Sequence, residues 1–288
     1  MSRKRLIHKI LWYIGVILIS ITTIAPFLWT VATSFKSSGE ILAGSMSIIP
    51  ENFTWDNYKE VFTAMPFFVY LKNSLILAVG GVATNLFFGS LAGYTFGQLN
   101  FRGKKSLFVI FLASMMIPGI VTMIPSFIVL RSFPSVGGNN LLGQGGLGLI
   151  NTYWAILLPG AAGAFAIFFM KQFFEQLPRE LGESARMDGA SEFVIFIKVY
   201  LPLAKPALAT LGIMTFQAGW NAFMWPMIVL NSDQMKTVQV GLAAFQYNYN
   251  TNYGPLMAGT IIATLPVLVL FIFAQKYYIQ GIAEAGIK

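Results

Sequence analysis

Six stretches of this chain are long, apolar and free of charged residues: residues about 10–35, 73–100, 106–130, 152–170, 206–231 and 255–275. An α-helix needs roughly 20 such residues to cross a bilayer core of about 30 Å. The pattern therefore predicts an all-α, polytopic membrane protein: six transmembrane helices in one domain covering residues 1–288. The fourth stretch is the shortest. Pro26, Pro118, Pro125, Pro159, Pro226 and Pro266 fall inside the stretches and predict kinks, which neighbouring helices in a membrane can accommodate. Gly80, Gly81, Gly89 and Gly93 supply the small surfaces that let membrane helices approach closely.

Composition agrees with the pattern. Hydrophobic residues make up 56% of the chain and charged residues only 10%, against about 25% charged in a soluble domain. The net charge of +8 is unevenly placed. With the N-terminus inside, the outer segments carry Lys36, Lys59, Lys72, Arg131 and Lys236, balanced by Glu40, Glu51, Asp56, Glu60 and Asp233. The whole excess then lies inside, which is the arrangement that orients membrane helices with both termini in the cytoplasm. The basic charge is a topology signal and gives no reason to expect nucleic acid. The basic N-terminus ahead of the first apolar stretch resembles a signal peptide. That stretch is longer than one, with no small-residue cleavage site behind it, and reads as an uncleaved span.

Several chemistries are excluded. There is no cysteine, and His8 is the only histidine, so thiol catalysis, disulfides and His-based metal sites or triads are ruled out. No G-x-x-x-x-G-K-[ST] string occurs, so the chain lacks this phosphate-binding loop for ATP. No charge lies at the middle of a span, which argues against a proton-coupled or sodium-coupled carrier.

The informative polar segment is 171–205, between the fourth and fifth spans. Pro178 suits the first turn of a helix. Residues 179–188 are helix formers, and Gly189 is placed to end that helix in a left-handed conformation. Ser191 and Glu192 suit the start of a second helix, which is expected to stop at Leu201 because Pro202 follows. Two short helices hinged at a glycine predict a compact knob on the cytoplasmic face, with no pocket of its own. Arg179 and Arg186 lie within helical reach of Glu183 and could pair with it.

Glu183-Ser184-Ala185, then three residues, Gly189, nine residues, Val199, one residue and Leu201-Pro202 resemble the EAA motif of ABC-importer permeases, departing from it at Ser184 and Val199. Asp188-Gly189-Ala190-Ser191, Pro26-Phe27-Leu28-Trp29, Asn57-Tyr58, Asn73-Ser74-Leu75 and Trp220-Asn221 are similar to further landmarks of the carbohydrate branch. The chain looks most like the smaller permease of a maltose-type pair. The resemblance implies a type I importer architecture in a bacterial inner membrane. It implies a second homologous permease, two ATPase subunits that bind ATP and Mg, and an extracytoplasmic binding protein that delivers a sugar. This chain itself would bind no cofactor. Glu183, Ser184, Ala185, Asp188, Gly189, Leu201 and Pro202 would dock in an ATPase groove. Trp220 and Asn221 are candidates for the translocation pathway, and Tyr247, Tyr249 and Tyr253 for contact with sugar or binding protein. The glycine-rich segment 132–151 reads as a flexible connector. The alternatives are an ABC permease for a solute other than sugar and, with less support, a self-sufficient secondary carrier.

Overall fold

A computed structural model describes residues 3–246 and 251–286, with side chains described for 7–246 and 251–275. Among these residues the chain is helical, without strands. The helices are α1 (Arg3–Ser34), α2 (Ser38–Leu42), α3 (Asp56–Ala64), α4 (Phe67–Gln98), α5 (Lys104–Ser114), α6 (Gly119–Arg131) and α7 (Trp154–Leu157). They continue with α8 (Ala164–Phe174), α9 (Glu180–Met187), α10 (Glu192–Leu203), α11 (Lys205–Trp220), α12 (Met224–Val229), α13 (Val238–Ala243) and α14 (Tyr253–Gly286).

Among the described residues, three helices are long and apolar enough to cross a bilayer alone, in α1, α4 and the Tyr253–Gln275 part of α14. The count reaches five if each of two bent pairs is one span: α5 with α6, bent by 101°, and α10 with α11, bent by 82°. The expected fourth span is not one helix. It consists of α7, a break at 158–163, and α8 of 11 residues, which at 1.5 Å per residue covers about 17 Å. The expected fifth span is likewise interrupted, at 221–223 between α11 and α12. Pro118 and Pro159 stand at breaks, whereas Pro26, Pro125 and Pro266 remain inside helices. A proline in a helix interior deletes one intrahelical bond, and the packing around it decides whether the helix bends or breaks.

The chain divides into two compact units. One holds residues 1–67 and 241–266. In it the end of α1 is closed by Asn57, whose amide donates at 2.9 Å to the carbonyl of Ser34, a group that the helix end leaves open, and at 2.8 Å to that of Lys36 just beyond. Tyr58 shares a 2.9 Å hydrogen bond with the Ser34 hydroxyl. Lys36 and Glu40, two of the charges counted as outer ones, are buried. The Lys36 ammonium donates to Ser45 O at 2.9 Å and lies 4.6 Å from the centre of the Trp29 ring. Glu40 accepts the backbone N–H groups of Glu51 and Asn52. Gly254 lets α14 meet Asn57, since an added Cβ would lie 2.2 Å from Asn57 Oδ1.

The second unit holds residues 68–240 and 267–288. Its centre is the contact of α4 with α8. Gly89, Gly93 and Gly97 recur every fourth residue, and a Cβ on them would lie 2.9, 2.5 and 2.9 Å from Cβ of Ala166, Met170 and Phe174. Such a stripe lets two backbones touch where lipid supplies no hydrophobic drive between helices. At Asn85–Gly89 the helix widens into a π-turn. There the Asn85 amide donates to Gly81 O and Gly160 O at 3.0 and 2.7 Å and accepts Gly163 N–H at 3.2 Å, satisfying backbone left open by the break before α8. Asn73 plays a similar part, donating to Gln234 O and Lys236 O and accepting from Tyr153.

The segment 132–151 is no loose connector. Asn139 donates to Arg131 O and Phe133 O and accepts Gly146 N–H. Asn140 Oδ1 accepts N–H groups of Leu142 and Gln144. Asparagine side chains that reproduce turns in this way hold the glycines in one path, and Gly148 passes so close to α6 that a Cβ would lie 2.3 Å from Leu130 O.

Candidate functional site

The knob forms as two short helices that turn at Gly189, as expected, though not every local signal is met. Pro178 precedes α9, and Gly189 ends it at φ +79°. Ala190 N–H bonds Ala185 O and Gly189 N–H bonds Arg186 O, both at 3.0 Å, the paired bonds of a Schellman closure. Ser191 takes the extended position before α10, but its hydroxyl makes no cap bond. Nor does α10 stop at Leu201. It opens into a π-turn at Phe196–Tyr200 and runs through Pro202 to Leu203, with Leu201 at helical φ −64°, ψ −40°. Wider π-type bonding accommodates the donor that Pro202 lacks.

The inward side of the knob is a core of Ile195, Phe196, Tyr200 and Ala204, packed with Tyr94 of α4 and Met170 and Phe174 of α8, with Ala185 and Leu201 at its edge. Gly182 lies against the Tyr200 ring, where an added Cβ would be 2.9 Å from the phenolic oxygen. Polar bonds cross the same seam. Tyr200 donates to Gln98 Oε1 and to Pro178 O, both at 3.1 Å. The Gln98 amide in turn donates to Phe174 O and Leu177 O. Tyr94 donates to Glu192 Oε2 at 2.9 Å, and Arg186 Nε lies 2.5 Å from Glu192 Oε1. The Arg186 guanidinium, and then the Tyr94 hydroxyl, hold the Glu192 carboxyl below its ordinary range, while Glu192 raises Arg186. Burial lowers Lys104, the first residue of α5, and Arg179 adds to the effect.

Glu183, Ser184, Asp188 and Pro202 are all exposed, and Glu183 also borders the cleft beside α4. Neither expected partner holds Glu183. Arg186 turns to Glu192 across the Gly189 hinge, and among the described residues no ion pair joins Glu183 to Arg179. The knob also has a cleft, contrary to the expectation of none. Gln98, Leu99, Asn100, Arg179, Glu183, Arg186 and Glu192 enclose about 420 Å³ beside α4. A π-turn and an 82° bend fold α10 back towards α4, and neither was readable in the sequence. Met187 was also missed. It is 89% exposed at the end of α9, an apolar side chain on the most polar segment of the chain.

The other candidates are dispersed. Trp220 is buried, its ring stacked 5.8 Å from Phe216 and packed against Ala78. Asn221 follows it at the end of α11, exposed, accepting from Gln239 at 3.4 Å. Tyr253 begins α14 and is half exposed. Tyr247 and Tyr249 lie outside the described residues. Among the described residues no group of three or more His, Asp or Glu side chains could hold a metal ion.

Comparison with known proteins accounts for this layout. The profile of the family described as "Binding-protein-dependent transport system inner membrane component" matches residues 85–284. The arabinooligosaccharides transport system permease protein AraQ of Bacillus subtilis is 35% identical over 285 residues, 98% of this chain and 96% of that one. The lactose transport system permease protein LacG of Rhizobium radiobacter is 32% identical, with 96% of each chain covered. One chain of a bacterial ABC transporter involved in the import of the acidic polysaccharide alginate superposes with a TM-score of 0.82 at 26% identity, covering 96% of this chain and 99% of that one. Family and relatives are transport subunits, not enzymes, and the apolar helices suit their setting. With the matched family covering α8, the knob and the helices after it, this chain belongs to the inner-membrane components of binding-protein-dependent transport systems.

Proposed function

We propose that this chain is a permease subunit of an ATP-driven importer for a sugar or oligosaccharide, with its 171–205 knob docked in an ATPase subunit. The observation that carries the docking reading is Glu183. It is an exposed carboxylate on a helix closed at its C-terminal end by Gly189, left without an ion pair because Arg186 is taken by Glu192. Its position in the Glu-Ser-Ala…Gly…Leu-Pro string favours a basic group of the ATPase as its partner. Ser184, Ala185, Asp188, Gly189, Leu201 and Pro202 complete the surface or its support. Sugar as the solute class is supported by the names of the relatives AraQ and LacG.

The remaining assembly follows from this reading. A second homologous permease completes the pathway, two ATPase subunits supply ATP and Mg chemistry, and an extracytoplasmic binding protein delivers the solute. Six spans in a single permease domain, with both termini and the knob inside, suit the charge asymmetry. Asn221 is better suited than Trp220 to face the pathway, because it is exposed and Trp220 is buried. Tyr253 remains a candidate for outer contact.

The test is co-purification of the ATPase with Glu183→Ala. A hydrogen bond to a charged group contributes about 1.5–3 kcal/mol, so retention falls about tenfold or more. Membrane insertion is unchanged, because no span is touched. Full retention in the variant would remove the docking reading. Solute uptake by the chain alone, driven by an ion gradient, would favour a secondary carrier.

A further inference from the structure

We propose that Tyr94, Glu192 and Arg186 form a joint that makes the knob and the inner half of α4 move as one body. The proposal rests on the docking reading. The joint would deliver to α4 whatever displacement a docked ATPase imposes on the knob.

Three observations carry it. First, the bonds are long-range and link different elements: Tyr94 belongs to α4, Arg186 to α9 and Glu192 to α10. Arg186 and Glu192 also span the hinge at Gly189, so one carboxylate ties both helices of the knob to the same point on α4. Second, the Tyr94 ring is 2% exposed and sits among Phe174, Phe196 and Tyr200, while its hydroxyl bonds Glu192, which is part-exposed and lines the cleft. The apolar contacts beneath are non-directional and would tolerate sliding. The hydrogen bonds have direction and set the register. Third, the inner half of α4 is already locked to α8 by Gly89, Gly93 and Gly97. Where that stripe begins, at Gly89, both partners become irregular, α4 at its π-turn and α8 at the break before Ala164. Such irregular turns often mark hinges. The block that moves with the knob is therefore the part of α4 and α8 between the knob and Asn85.

The experiment uses the complex of this chain with its sister permease and ATPase subunits. Spin labels at Met187→Cys and Thr95→Cys, the latter on α4 itself, report the distance from the knob to the inner half of α4, without background in a chain that has no cysteine. The original Tyr94 background should give one narrow distance, unchanged between nucleotide-free and ATP-bound states. Tyr94→Phe keeps the ring and removes only the hydroxyl. It should retain the ATPase, broaden or shift the distance when ATP binds, and cut stimulation of hydrolysis by the binding protein about fivefold, the weight of one hydrogen bond. Glu192→Gln, which still offers Tyr94 an acceptor, should fall between the two. An equally narrow, ATP-independent distance with full stimulation in Tyr94→Phe would overturn the joint. So would a parallel loss of thermal stability and basal hydrolysis with an unchanged stimulation ratio, which would make Tyr94 a packing residue only. Failure of the docking reading appears separately, as normal ATPase retention in Glu183→Ala.

Discussion

The guanidinium of Arg186 reaches across the turn at Gly189 to Glu192, 2.5 Å away, and not to Glu183 on its own helix. Helical spacing alone would allow the Glu183 pair. The chain's reversal at Gly189, together with Tyr94 on the far side of Glu192, gives Arg186 the better-placed carboxylate. One pair thus braces the knob and leaves the other acid exposed without an ion pair.

That brace is pH-dependent. Arg186 and Tyr94 face Glu192 and depress its pKa, so its contribution to stability is fully present above the ordinary carboxylate range. It is lost as pH falls through the depressed value. In detergent, the thermal midpoint of the native chain should exceed that of Glu192→Gln at neutral pH, and the two should converge on strong acidification. The pair is 39% and 46% exposed, so screening keeps the difference below about 1 kcal/mol. A gap that widens in acid would contradict the assignment.

Gly189→Val should destabilise the knob by about 1–3 kcal/mol, because φ +79° is costly for a β-branched residue. Nothing lies within 4 Å of an added Cβ, so the penalty is backbone strain and not collision. Gly189→Asn should therefore be milder, since asparagine tolerates the left-handed region. Equal losses of ATPase retention for Val and Asn would point to steric exclusion by a partner instead.

Gly93→Ala should reduce the yield and melting temperature of solubilised protein. Its Cβ would lie 2.5 Å from Met170 Cβ and 2.9 Å from Lys171 N, and overpacking of this kind costs about 1–3 kcal/mol. Gly15→Ala, in α1 with nothing within 4 Å, is the control and should be neutral or slightly stabilising. Similar behaviour of the two would mean that α4 and α8 are not in contact.

Topology can be read with single cysteines at Met187 and Lys104, expected inside, and at Leu141, expected outside. Met187 and Leu141 are 89% and 84% exposed. An impermeant reagent on intact cells should label position 141 alone. Labelling at 104 or 187 would reverse the orientation.

Hydropathy alone determined that this is a membrane protein, because an uncharged run of about 20 residues has few other stable environments. Local punctuation determined part of the knob: Gly189 ends α9 as expected, whereas Pro178 stands before that helix and not in its first turn. Where a partner lies far along the chain, the sequence was silent. Tyr94 meets Glu192 across 98 positions and Tyr200 meets Gln98 across 102, and no periodicity encodes such pairs. The same limit explains the breaks at Pro118 and Pro159, where most other span prolines left their helices whole, and the burial of Lys36 and Glu40 among outer charges. It also explains the ordered path of 132–151, whose glycines suggested looseness until Asn139 and Asn140 were found bonding its backbone. Apolar character and backbone preference are properties of a residue and its neighbours. Which polar atoms meet, and whether a helix survives its proline, depends on what the folded chain brings alongside, and tertiary structure alone decides that.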